Sequence, residues 1–306
     1  MLKPLVWPTE SRLRSFILGK FGGLKMVMWS VGDVTVTKVL EMEVHWPFKS
    51  LLPGADDLIA GVDWLRPDFV TDEGRMKLSI HALIIQSKGL TIIVDTCCGN
   101  SKERPGAKAF ANLDTPFLKD LTSAGFHPND IDIVMSTHLH VDHVGWNTQL
   151  VDGEWVPTFP NAKYLFVKEE FDYWQNEPQD YGPVFDDSVR PIVEAGLAEM
   201  VSDTHQLTSE VWLESTAGHT PGHVSVCIES FGEKALITGD MTHHPIQFVH
   251  PDLASSADWR QDISSATRKD AYERWSDGRL VIGTHFAGQT AGFLVKDGDT
   301  YRFDVA

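Results

Sequence analysis

From Gly32 onward the chain alternates short apolar, β-branched runs with polar connections punctuated by glycine and proline. Val34-Thr35-Val36-Thr37-Lys38-Val39-Leu40 predicts a first strand. The apolar runs 78–86 and 90–94 flank Ser87-Lys88-Gly89 and predict a hairpin whose second strand ends in Asp95-Thr96. Further strands are predicted at 131–135, 163–167, 211–214, 224–229, 235–238 and 280–282, and a closing hairpin at 292–295 and 300–303 around Asp297-Gly298. Helical spacing recurs at 115–124, where Phe117, Leu118 and Leu121 share a face before Gly125, at 169–175, and through most of 257–275. One connection is long. Residues 41–75 are rich in Pro, Gly and Asp yet carry Trp46, Phe48, Leu51, Leu52, Trp64 and Phe69, which predicts a functional loop or an Ω-type lid. Strands in two groups with helices between predict an α/β chain of two packed sheets with helices outside.

At 306 residues and 42% hydrophobic, the chain can bury one large core or two small ones. Its net charge of −17 argues against a nucleic-acid partner, whose phosphates it would repel. A locally cationic site remains compatible, because bound metal ions outweigh nearby side chains. The three cysteines, Cys97, Cys98 and Cys227, form no Cys-x-x-Cys pair. A disulfide scaffold and a thiolate zinc site are therefore not expected, and a reducing, cytoplasmic location is. No apolar run approaches the roughly 18 residues that span a bilayer, so no membrane role is expected. Residues 1–28 carry five basic side chains against one acid, Glu10. They read as an extension packed on the body or on a partner subunit, with one domain over 29–306 and Met26 or Met28 as alternative starts. The extension and the 41–75 loop are the candidates for contact with a second copy in a homodimer.

The chemistry concentrates at Thr137-His138-Leu139-His140-Val141-Asp142-His143, just after a predicted strand. Side chains alternate along an extended loop, so His138 and His140 project to one side, and Asp142 and His143 follow as the chain turns. Imidazole nitrogens and carboxylate oxygens suit borderline metals such as zinc. The plain alternative is a polar turn with incidental histidines. Three further residues end apolar strands in the same manner: His219 within Gly218-His219-Thr220-Pro221-Gly222-His223, Asp240 after Leu236-Ile237-Thr238-Gly239, and His285 after Val281-Ile282-Gly283-Thr284. Functional residues of open α/β sheets gather at the carboxyl ends of strands.

This ordered set resembles the metallo-β-lactamase superfamily over residues 32–303. The resemblance implies an αββα sandwich of two mixed β-sheets with outer helices, and a metal groove at one sheet edge. By position it implies that His138, His140 and His219 hold one divalent ion, that Asp142, His143 and His285 hold another, and that Asp240 bridges them. Zinc is the expected metal, with manganese or iron as alternatives. A metal-bridged hydroxide would then attack a carbonyl or phosphoryl centre.

Departures narrow the branch. True β-lactamases of the superfamily lack the bridging carboxylate, diiron flavoproteins place Glu at the position of His140, glyoxalase II enzymes append a helical domain, and the nucleases carry a large insertion. What remains is similar to lactonases, arylesterases and methyl parathion hydrolase. Where the lactonases carry Tyr three positions after the bridging Asp, this chain has His243, closer to the methyl parathion hydrolase pattern. Asp142 and His243 are the candidate catalytic groups, as proton carriers near neutrality. Trp46, Phe48, Trp146 and Phe286 are the candidate substrate-binding wall, and His223 is expected to orient the His219 loop. The expected substrate is a small hydrophobic ester or lactone, with organophosphate triesters as a further class. Hydrolytic dehalogenation or sulfate-ester cleavage on the same metals, and a non-catalytic binding module, are the alternatives.

Overall fold

The computed structural model describes residues 27–305, together with two short antiparallel strands at Lys20–Phe21 and Leu24–Lys25. The first half of the chain builds a seven-stranded sheet: β1 (Val27–Val31), β2 (Val34–Trp46), β3 (Met76–Ser87), β4 (Leu90–Val94), β5 (Ile133–Met135), β6 (Lys163–Val167) and β7 (Ala198–Val201). They lie side by side in chain order, antiparallel as far as β4 and parallel from β4 to β7. The second half builds a six-stranded sheet, again in chain order: β8 (Val211–Ser215), β9 (Val224–Ser230), β10 (Glu233–Ile237), β11 (Leu280–Ile282), β12 (Ala291–Asp297) and β13 (Thr300–Val305). Only β10 and β11 run parallel there.

The strands read as near-continuous apolar runs because both faces of each sheet are covered. On the inner faces, Leu83, Ile85, Ile92, Val94 and Met135 meet Val226, Ile228, Ala235, Ile237 and Ile282 in one layer. Alternate residues point outward. Ile84, Ile93 and Val134 pack under α1 (Phe117–Ser123), α2 (Lys168–Asn176), α3 (Val184–Ser188) and α4 (Arg190–Glu194). On the far side, Cys227, Leu236 and Val281 pack under α5 (Ile246–Val249) and α6 (Gln261–Trp275). The period of two thus splits each strand between two cores, giving the expected αββα sandwich.

Two expectations change. β2 runs six residues past Leu40, so the long connection begins at Pro47 rather than at 41. A register shift between Leu40 and Met42 leaves Glu41 as an extra residue, a bulge that turns its side chain inward. Its carboxylate accepts hydrogen bonds from the Cys98 N–H (2.7 Å), the Trp146 indole N–H (2.7 Å) and the Thr115 hydroxyl (3.1 Å). The rest of the connection is no lid. It folds into four 3-10 turns that bury Phe48, Leu52, Leu65 and Phe69 against the second sheet, beside Tyr272 and Trp275 of α6. α6 itself starts at Gln261, because the N–H groups of Trp259 and Arg260 are bonded instead to the carbonyls of His219 and Gly218. A hairpin at Thr148–Val151 and Glu154–Pro157, and β7, carry mostly exposed or half-buried residues without apolar alternation, so pattern alone does not mark them.

Phe286 is fully buried among Phe69, Phe248 and Phe303. Phe286→Ala is expected to cost about 3–5 kcal/mol of stability in urea denaturation; a loss below about 1 kcal/mol would contradict its place in the core.

Candidate metal centre

Parallel neighbours end level with one another, which brings the polar residues after them together. Val94 pairs with Met135 and Ile237 with Ile282, so Asp95, the 136–143 segment, the 238–240 turn and the 283–285 turn leave the two sheets at one edge. Gly239 takes φ 56° there, and a Cβ on it would meet the His223 ring at 2.5 Å. No other residue fits that turn.

Three ring nitrogens converge first. His138 Nε2 lies 3.1 Å from His140 Nδ1, which lies 3.0 Å from His219 Nε2. A second group comprises Asp142, His143 and His285, with His143 Nε2 3.6 Å and His285 Nε2 3.5 Å from the Asp142 carboxylate. Asp240 reaches both groups. Its Oδ2 is 3.8 Å from His138, 3.6 Å from His219 and 3.4 Å from His143, and its Oδ1 is 3.0 Å from His285.

The surroundings of each ring assign its proton. His219 Nδ1–H donates to Asp258 (2.9 Å), His143 Nδ1–H to Asp95 (2.9 Å) and His285 Nδ1–H to the Ser79 carbonyl (3.2 Å). The Thr137 hydroxyl donates to Asp95 (2.8 Å) and so accepts from His138 Nδ1–H (3.1 Å). With Nδ1 so engaged, these four rings aim Nε2 inward, at two carboxylates. Within this buried cluster, His143 Nε2 and Asp240 Oδ1 have no hydrogen-bond partner. Ring nitrogens and carboxylate oxygens that converge in a buried site form a donor set that fits divalent zinc, manganese or iron. Burial, reinforced by the neighbouring rings, holds His138 and His140 well below the usual histidine range, in the neutral form a metal requires. Burial also opposes charge on His143, but Asp240, Asp95 and Asp142 outweigh it and push that ring up. Cys97 and Cys98 are buried, and desolvation keeps both thiols protonated and outside the donor set.

The centre floors a cavity of about 280 Å³. Trp46, Leu51, Leu78, Ile80 and Phe110 form an apolar wall, and His140, Asp142, His219, Asp240, His243 and His285 form the floor. Of the four aromatic residues expected to wall it, only Trp46 does. Phe48 and Phe286 are fully buried in the core beneath the second sheet, and Trp146 stacks on Phe117 and donates to Glu41. Beside Phe286 it is His285 that faces the cavity. His243 is in place, its Nε2 3.2 Å from Asp240. His223 closes the loop that carries His219, through its carbonyl to the Thr216 N–H (3.0 Å) and its Nδ1 to the Thr216 hydroxyl (2.9 Å), and its Nε2 also accepts the Asp240 N–H (2.8 Å), holding the Asp240 turn. Sequence reasoning missed Asp258, an acid just ahead of a helical run, and Phe110 and Tyr181, which line the cavity from irregular loops.

The family model described as Metallo-beta-lactamase superfamily matches residues 76–274. A probable metallo-hydrolase of Methanocaldococcus jannaschii is 27% identical over 145 residues, 46% of this chain and 54% of that protein. An N-acyl homoserine lactonase of Bacillus sp is 27% identical over 151 residues, 48% of this chain and 53% of the other. The chain thus spans about half the length of these curated relatives. In fold, it is similar to AidC, a dizinc quorum-quenching lactonase solved with a product, at TM-score 0.72 and 23% identity, covering 91% of this chain and 96% of that one. It is likewise similar to the hydrolase AbOPH, at TM-score 0.75 and 22% identity, covering 92% and 97%. No helix among the described residues is long and apolar enough to cross a membrane. With two thirds of its length matched by the family model and a His/Asp cluster able to bind metals at the strand ends, this chain belongs to the metallo-β-lactamase superfamily.

Proposed function

We propose that the chain is a dinuclear metal-dependent hydrolase of small hydrophobic esters or lactones, with organophosphate triesters as a further substrate class. One observation carries the reading: two ligand triads sharing Asp240 lie at the floor of a cavity whose facing wall is apolar. In this reading His138, His140 and His219 would hold one ion and Asp142, His143 and His285 the other, with Asp240 shared between the two triads. Two bound divalent ions supply an acidified water and a Lewis acid for the substrate oxygen.

The chain's own residues do the rest. Trp46, Leu51 and Phe110 hold the apolar arm of the substrate against the floor and exclude water from it. His243 is buried, which lowers its pKa and keeps the ring neutral. Its Nδ1 has no acceptor, so the proton resides on Nε2, beside Asp240 in the cavity. That N–H can donate to the oxygen on which negative charge develops. Asp142 is less enclosed than Asp240, with 14% of its side chain exposed against 6%, and faces the cavity, where it can take up a proton released by the nucleophile. The lactone option draws on the relatives named as N-acyl homoserine lactonases.

Metal analysis of the purified protein is expected to find close to two ions per chain, zinc foremost; a metal-free protein under retaining conditions sinks the proposal. On a panel of aryl esters, lactones and phosphotriesters, esters or lactones are expected to turn over fastest, and His138→Ala and Asp240→Ala to abolish that turnover in folded protein. Preference for haloalkanes or sulfate esters would replace the substrate assignment. His243→Ala is expected to lower kcat about a hundredfold with metal content unchanged, and an unaltered kcat would remove His243 from the reaction.

A further inference from the structure

Helix α2 lends the centre no ligand, yet its first turn is bonded to both loops that carry one triad. Glu170 is buried there, at 1% exposure. Its Oε1 accepts the Leu139 N–H (3.0 Å) and the Trp174 indole N–H (2.6 Å), and its Oε2 accepts the Gly222 N–H (2.9 Å). Three donors thus occupy both oxygens of the carboxylate.

From this arrangement we propose that Glu170 is a positioning residue for the ion held by His138, His140 and His219. The inference rests on the metal reading above. Leu139 stands between two of those ligands, and the peptide units on both sides of it are held: its N–H by Glu170, its carbonyl by the Gln179 amide at 2.6 Å. A rotation of either peptide would swing the His138 and His140 rings apart. Gly222 belongs to the loop that presents His219. A Cβ on Gly222 would lie 2.4 Å from the Glu170 nitrogen, so the loop rests directly on the helix backbone at that point. Trp174, one turn along and bonded to the same carboxylate, sets its ring edge against His140, with centroids 5.2 Å apart. A single side chain therefore fixes the spacing between the His138–His140 segment and the His219 loop. The other triad is anchored elsewhere, His143 by Asp95 and His285 by the Ser79 carbonyl. That separation makes the role selective for one ion of two, which a merely structural contribution is not.

The test is titration of the metal-stripped protein with Co²⁺, followed by its visible absorption in the presence of a competing chelator. The wild-type chain is expected to take up two ions. In Glu170→Gln one amide N–H₂ must face backbone N–H donors, and the affinity for one ion is expected to fall about 10–100-fold while the other is unchanged. The residual spectrum should match that of His219→Ala, which deletes a ligand of the same triad. Gln179→Ala, at a half-buried position, is expected to weaken the same ion by a smaller factor, and it decides the matter if Glu170→Gln does not fold. Unchanged affinity for both ions, or equal weakening of both, overturns the role of Glu170. A wild-type chain that takes up no cobalt overturns the metal reading itself and this inference with it.

Discussion

A buried carboxylate among inward-facing lone pairs is the constraint around which this molecule is organised. Asp240 lies within 4 Å of ring nitrogens from His138, His143, His219, His243 and His285. Burial opposes its charge, yet His285, His143 and His243 hold its pKa well below the usual carboxylate range. Four of the rings are gripped from behind: His219 by Asp258, His143 by Asp95, His285 by the Ser79 carbonyl and His138 by Thr137. Removing any one of those anchors would let a ring turn or change tautomer. The ligands are therefore the visible part of a larger polar network that begins at the strand ends and reaches back to α6, whose buried Arg268 lies 3.6 Å from Asp258.

The fold serves this constraint through register. Two sheets packed on a dry inner layer could slide, but the alternation of inner and outer side chains forbids a one-residue slip. Strands that stop level with their neighbours deliver Asp95, His138, Asp240 and His285 to a common edge. Irregular chain then does what regular chain cannot. The segment from Pro47 to Arg75 covers the second sheet where the first sheet carries helices, and its start places Leu51 over the metal residues.

Much of this was legible in the residues themselves. The His-x-His-x-Asp-His run, the glycines before His219 and Asp240, and the apolar runs that precede Asp240 and His285 each mark a turn at a strand end, and the structure brings those residues together. The αββα layering follows from strands that are apolar on both faces. What escaped reading lacks a local signature. Glu41 looked like the end of a strand because a bulge, not a turn, accounts for a charge in that place. Phe48, Trp146 and Phe286 looked like a pocket wall because proximity in sequence to the motifs says nothing of which way a ring points. Asp258 and Glu170 contact the metal loops from 39 and 31 residues away in sequence, a distance at which spacing carries no information.

The division of the chain between the two sheets has a consequence for assembly. His138, His140, Asp142 and His143 come from the half that forms the first sheet, while His219, Asp240 and His285 come from the half that forms the second. Neither half holds a complete triad. The binding site is thus a coincidence detector for folding: it comes into being only when the two halves have docked in register, and an ion captured there is a clasp that closes last.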